Sequence, residues 1–222
     1  MPSHTNGSAL FADISGFTAL TEALRNALGA RRGAEGLARR IEAAYSALIT
    51  QIELFGGNVI DLADNSMLCW FDDDLSSIAE IESLDAISQP SGAQRAVACG
   101  FALQRAMREF ARISLPDKST TALTLKVVIA SGTGRRFVVG DPKIRRMDTL
   151  AGATVARTAT AEHLARAGEV LIDELTANIL DAALTVQEWH EDPKSNERFA
   201  VVNSLRCTTS VLMGRHPSTT HV

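Results

Sequence analysis

The chain is 222 residues long, carries a net charge of −4, and is 45% hydrophobic and 22% charged. That length suits one α/β domain, or one domain with a tail, and the apolar share supplies a full core and argues against disorder. The acidic balance gives no support to a nucleic-acid binder. Three cysteines without a CxxC pair indicate neither a disulfide framework nor a zinc site.

No apolar run approaches the roughly 20 residues that span a bilayer. Residues 1–7 lack the basic and apolar regions of a signal peptide. The expected setting is cytoplasmic, with no membrane and no nucleic-acid partner.

In chain order, the first strand is expected over 8–13, apolar until its last residue, Asp13. A helix follows with Leu20, Leu24 and Leu28 on one stripe and ends near Gly29. Residues 31–33 read as a linker before a longer helix over 34–55, whose apolar positions recur near the helical period. Gly56 and Gly57 end it. Two short strands over 58–62 and 66–71 flank Ala63-Asp64-Asn65, a hairpin turn signal. After an acidic run at 72–74 and a linker to Ser91, a third helix spans 92–113.

A loop over 116–121 leads to a strand alternating through Leu123, Leu125, Val127 and Ile129, with 137–139 expected to begin its partner. Gly140-Asp141-Pro142 and the basic residues 143–146 read as a turn or flap. An extended stretch over 148–151 precedes an Ala-rich helix over 152–167, and a strand over 169–172 follows. Asp173 caps a short helix to Leu180, and 184–189 with 198–202 forms a terminal hairpin. Residues 1–205 are expected as one domain and 206–222 as a polar tail. The order β-α-α-β-β-α-β, with further αβ elements and the hairpin, implies an α+β sandwich of ferredoxin-like type, its helices covering one face of the sheet.

One stretch carries chemistry. From Leu10 to Thr18 an apolar run ends in a carboxylate, breaks at Ser15-Gly16 and restarts as a helix. The free N–H groups of Gly16, Phe17 and Thr18 form an anion site, and Asp13 is a ligand for a hard cation. The competing reading is a strand–turn–helix junction with a capping aspartate.

Phe11-Ala12-Asp13-Ile14-Ser15-Gly16-Phe17-Thr18, followed by Leu20-Thr21-Glu22, resembles the first metal-binding signature of class III nucleotidyl cyclases. It is most similar to bacterial relatives of soluble adenylate cyclase. Arg31-Arg32-Gly33-Ala34-Glu35, Phe55-Gly56-Gly57-Asn58-Val59-Ile60, Cys69-Trp70-Phe71, Val139-Gly140-Asp141-Pro142 and Asp148-Thr149-Leu150-Ala151-Gly152-Ala153-Thr154 agree in order and spacing.

The resemblance implies a cyclase homology domain that works as a homodimer or as a heterodimer with another cyclase domain. It implies a nucleoside triphosphate substrate and Mg²⁺ or Mn²⁺, with two ions assisting attack of the ribose 3′-OH on the α-phosphate. Carried over residue by residue, Asp13, the Ile14 carbonyl and the hairpin pair Asp64 and Asn65 are the implied metal ligands. Ser15, Gly16, Phe17 and Thr18 cradle phosphate, while Asp61 and Asp148 fall at or beside base-reading positions. Asp13 and Arg157 are the catalytic candidates.

The pattern departs from the family at several points. Asn65 stands where a second metal carboxylate is expected and Asp61 where a lysine is expected. Ala156 and Thr160 stand where the family has an Asn and an Arg. Three readings follow: an active cyclase whose missing groups come from a partner, a catalytically inactive pseudo-cyclase serving nucleotide binding, regulation or dimerisation, and a purely structural module.

Overall fold

The computed structural model describes residues 3–74, 90–140 and 147–206. Strand β1 runs over Ser3–Ser15, longer than 8–13 at both ends, because its antiparallel pairing with residues 124–136 continues past the stretch 7–13 that is paired on both sides. Its alternation sends Leu10, Ala12 and Ile14 to one face and Ala9, Phe11 and Asp13 to the other.

Helix α1 (Phe17–Leu28) buries Leu20 and Leu24, and α2 (Ala30–Leu54) buries Ala44, Leu48 and Ile52. The expected linker at 31–33 is helical. Gly29, at φ 79, turns the chain in one residue, and α2 starts at once on alanine and arginine, both good helix formers. Gly33 sits where α2 meets α1, and a Cβ there would lie 3.0 Å from backbone atoms of Arg25 and Leu24. The two helices approach this closely because that side chain is missing.

Strands β2 (Asn58–Ala63) and β3 (Ser66–Asp72) form the expected hairpin, with Asp64 at φ 49 in its turn. Helix α3 (Gly92–Met107) opens on a capping box between Ser91 and Gln94 and stops short of 113, where a 3₁₀ turn (Arg108–Phe110) takes over. A small ribbon, β4 (Ile113–Ser114) with β5 (Thr120–Thr121), brackets the following loop.

The largest departure from the sequence reading is β6 (Thr124–Val139). Residues 137–139 do not fold back on 123–129. They continue the same strand, and its far end pairs instead with β7 (Met147–Ala151), Phe137 lying opposite Thr149. Glycine at 134 serves packing within this strand: a Cβ there would lie 3.0 Å from Leu150 and 3.1 Å from the Trp70 ring. Trp70, fully buried on β3, takes that space.

Helix α4 (Ala153–Glu162) ends earlier than 167 and leads to β8 (Val170–Asp173). Helix α5 (Glu174–Leu180) is capped by Asp173, whose side chain accepts from the Thr176 amide. A 3₁₀ turn (Asp181–Ala183), β9 (Leu184–Glu191) and β10 (Arg198–Leu205) complete the described chain.

Among the described residues the main sheet runs β2-β3-β1-β6-β8-β10-β9, with β7 on the far end of β6. Its pairs are antiparallel except β6–β8. This is the α+β, ferredoxin-like arrangement expected. The helices do not all lie on one face, however. Val127 and Ile129 of β6 join the core beneath α1, α2, α3 and α5, whereas Val128 meets Ala161 of α4 with Leu171, Phe199 and Val201. A strand whose two faces are both apolar needs a cover on each side, and α4 is the second cover. The 75–89 linker, the flap over 141–146 and the tail at 207–222 lie outside the described residues.

Candidate functional site

Asp13 lies near the end of β1 on the α4 side of the sheet, opposite Ser66 of β3 and Lys126 of β6. Three residues on, Gly16 takes φ 107 and caps α1 with its backbone alone. A Cβ there would meet the Ala122 carbonyl oxygen at 2.3 Å, so both the conformation and the space require glycine. The first-turn amides of α1 have no side-chain cap. They remain available to an anion.

The hairpin turn brings Asn65 to Asp13. The Asn65 amide nitrogen donates to Asp13 Oδ1 at 2.6 Å and to the Ile14 carbonyl at 2.9 Å, while the Ile14 amide donates to the Asn65 carbonyl at 2.9 Å. Both neighbours of the side chain are acceptors only, so its NH₂ end faces them. On the other side, Lys126 Nζ stands 3.4 Å from Asp13 Oδ2 and pairs with Glu162 at the end of α4. All three charged side chains are largely shielded, with exposures of 13% for Asp13, 20% for Lys126 and 23% for Glu162. Burial by itself lowers the Lys126 pKa, but the Glu162 and Asp13 carboxylates outweigh it and hold the ammonium above its ordinary value.

Asp64 takes a different direction. It sits exposed at the turn with positive φ, and its carbonyl accepts from the Tyr45 hydroxyl at 2.9 Å. Burial, then the charges of Asp13 and Asp64, raise the Tyr45 phenol above its usual range. The structure thus gathers Asp13, Ile14 and Asn65 at one point.

Asp61 is exposed on β2 and lines a cleft of about 340 Å³ with Phe11, Leu68, Val155, Thr158 and Glu162. Ser66, the register partner of Asp13, also borders that cleft. Asp148 lies on β7 opposite Val138. Ala156 is exposed on α4, and the Thr160 hydroxyl donates to its carbonyl at 3.3 Å. Arg157 is held within the fold: Nε donates to Asp173 Oδ2 at 2.8 Å and a terminal nitrogen donates to the Ser131 carbonyl at 2.5 Å.

Lys126 and Glu162 are absent from the motif reading. Lys126 interrupts an otherwise apolar run, a visible signal, but its pairing across β1 and α4 needs the sheet order.

The donor set does not fit a divalent cation. Such an ion asks for several oxygen ligands with free lone pairs, among them one or two carboxylates. Here the single carboxylate and the adjacent carbonyl already accept from an amide, and a fixed ammonium faces the second carboxylate oxygen. Among the described residues, no group of three or more His, Cys, Asp or Glu stands in metal-holding geometry. Among the described residues, no helix is long and apolar enough to cross a membrane.

Comparison with known proteins supplies the fold family. No family model matches the chain. It is 23% identical over 201 residues to rabbit adenylate cyclase type 10, an alignment covering 90% of this chain and 11% of that protein. The chain therefore spans about a tenth of the length of that curated relative. Among solved structures, the adenylyl cyclase CyaB from P. aeruginosa aligns at TM-score 0.70 with 19% identity, covering 93% of this chain and 98% of that one. The guanylate cyclase domain of RhGC from Catenaria anguillulae, solved with GTP, aligns at 0.64 with 15% identity, covering 92% and 100%. The chain has the fold of class III adenylyl and guanylyl cyclase domains.

Proposed function

We propose that this chain is a nucleotidyl-cyclase-type domain of cyclic-nucleotide signalling that receives a nucleoside triphosphate at the start of α1 but does not turn it over alone. The fold and the distant likeness to adenylate cyclase type 10 support the reaction class, attack of a ribose 3′-OH on the α-phosphate with loss of pyrophosphate. One observation carries the second half of the proposal. The hairpin beside Asp13 presents the Asn65 amide as a donor, so the site lacks the paired carboxylates that would hold the ions assisting the hydroxyl.

The roles of the chain's own residues follow. The amides of Phe17 and Thr18 and the turn at Ser15-Gly16 take phosphate oxygens. The cleft lined by Asp61 has the volume of a small-ligand site, about 340 Å³. A carboxylate accepts hydrogen bonds from an amino-bearing base edge, as an acidic side chain does from cytosine. ATP, GTP and CTP are therefore favoured over UTP. The groups missing at Ala156 and Thr160 are supplied by a second cyclase-type domain, either another copy or an intact relative. In that pair this chain acts as the nucleotide-binding and regulatory half.

The test is product detection with ATP, GTP, CTP and UTP, each with Mg²⁺ and with Mn²⁺, for the chain alone and mixed with an active class III domain. We expect no cyclic nucleotide from the chain alone and a changed rate in the mixture. Steady production by the isolated chain would refute the proposal.

A further inference from the structure

The geometry points to a metal-free lock at the Asp13 turn, in which the Asn65 amide and the Lys126 ammonium take the place a divalent cation needs. The inference rests on the reading of this turn as a cyclase-type site, and it goes beyond missing catalytic groups to what fills their place.

The two oxygens at issue, Asp13 Oδ1 and the Ile14 carbonyl, are bridged by one nitrogen at 2.6 and 2.9 Å. An ion at the roughly 2.1 Å that Mg²⁺ requires would need the same lone pairs and would have to displace that nitrogen. The remaining oxygen, Asp13 Oδ2, faces Lys126 Nζ at 3.4 Å. Lys126 is not free to leave, because Glu162 pairs with it from the end of α4 and the Glu162 carbonyl lies 3.4 Å away. A divalent cation at Asp13 would sit beside this fixed positive charge in a largely shielded position, where like-charge repulsion is strong.

The lock also has a mechanical consequence. It ties the end of β1 to the β2–β3 turn through Asn65, to β6 through Lys126, and to α4 through Glu162. At this corner the side-chain contacts thus add to the backbone ladders that already join β1 to β3 and to β6, and they bring in α4 as well. A nucleotide bound there meets an ammonium and helix amides, and its binding does not depend on an ion.

Titration of the full chain with Mn²⁺ alone, read by the free-ion EPR signal and by thermal unfolding, tests this directly. For the wild-type chain we expect no loss of free signal at millimolar Mn²⁺ and no change in Tm. The double variant Asn65→Asp/Lys126→Met restores a second carboxylate and removes the ammonium. It should bind Mn²⁺, with Tm rising by roughly 5–10 °C once the ion is at about 100 times its Kd.

Capture of one Mn²⁺ per wild-type chain, lost in Asp13→Asn, would overturn the lock. A folded double variant that still ignores Mn²⁺ would also overturn it, since closure would then not be due to Asn65 and Lys126. Should the double variant fail to fold, Asn65→Asp and the wild-type titration still decide the matter. Cyclic nucleotide formation by the wild-type chain would sink the functional reading, whereas Mn²⁺ capture without product would sink the lock alone.

Discussion

Replacing Arg157 with methionine keeps the aliphatic reach of the side chain and removes its charge. The wild-type guanidinium donates to Asp173 Oδ2 at 2.8 Å and to the Ser131 carbonyl at 2.5 Å, with Arg157 at 23% side-chain exposure and Asp173 at 3%. Removing one partner of a buried pair costs about 3–5 kcal/mol, because the other charge is left uncompensated. Two features reduce that figure here. The guanidinium is partly solvated, and Asp173 keeps donors from the Thr176 amide and hydroxyl and from the Ser131 amide. We therefore expect a loss of about 2–3 kcal/mol.

For a domain of this size that corresponds to a Tm lower by roughly 4–12 °C. Urea unfolding followed by circular dichroism measures it, with an unchanged m-value showing that the native state is otherwise intact. A loss below about 0.5 kcal/mol, combined with weakened nucleotide binding, would refute the structural assignment. It would show that Arg157 leaves Asp173 to serve a ligand, as the cyclase resemblance implies.

Gly16→Ala places a Cβ 2.3 Å from the Ala122 carbonyl at φ 107, so stability should fall by about 2–3 kcal/mol in the same urea assay. The Lys126 pKa is raised in the folded state by Glu162 and Asp13 against the opposing effect of burial. Its stabilising contribution is therefore complete below the unfolded lysine value of about 10.4 and is lost as pH rises through the higher folded value. Urea titrations should show a constant gap between wild type and Lys126→Met from about pH 6 to about pH 9, closing above about pH 10.5. Burial pushes the Cys69 thiol up to about 12 and Cys99 well above its ordinary value. Alkylation at mildly alkaline pH, mapped by mass spectrometry, should thus label both only after unfolding.

Much of the fold is legible along the chain. The stripes of α1 and α2, the Asp64-Asn65 turn and the Asp173 cap are local signals, since each depends on spacing within one or two turns of backbone. The failures share a cause. Residues 137–139 look like a separate partner strand, yet the chain runs straight on through Gly134, which makes room for Trp70 from the distant strand β3. Arg31-Arg32-Gly33 looks like a linker because glycine and charge suggest a loop, yet Gly33 permits the contact between α1 and α2. In both cases a distant partner sets the backbone, and propensity has no access to it.

For the site, the sequence by itself determined the resemblance to class III cyclases, the Asp13 turn with its helix start, and the replacement of an expected carboxylate by Asn65. These are facts of residue identity and spacing, and they survive any packing. Only the tertiary structure decided what those residues do to one another. The sheet order sets β6 beside β1 and so brings Lys126 to Asp13, and the second cover, α4, delivers Glu162 to hold it there. Residues 13, 65, 126 and 162 have no local relation in sequence. Their side chains meet because four elements come together at one corner of the sheet.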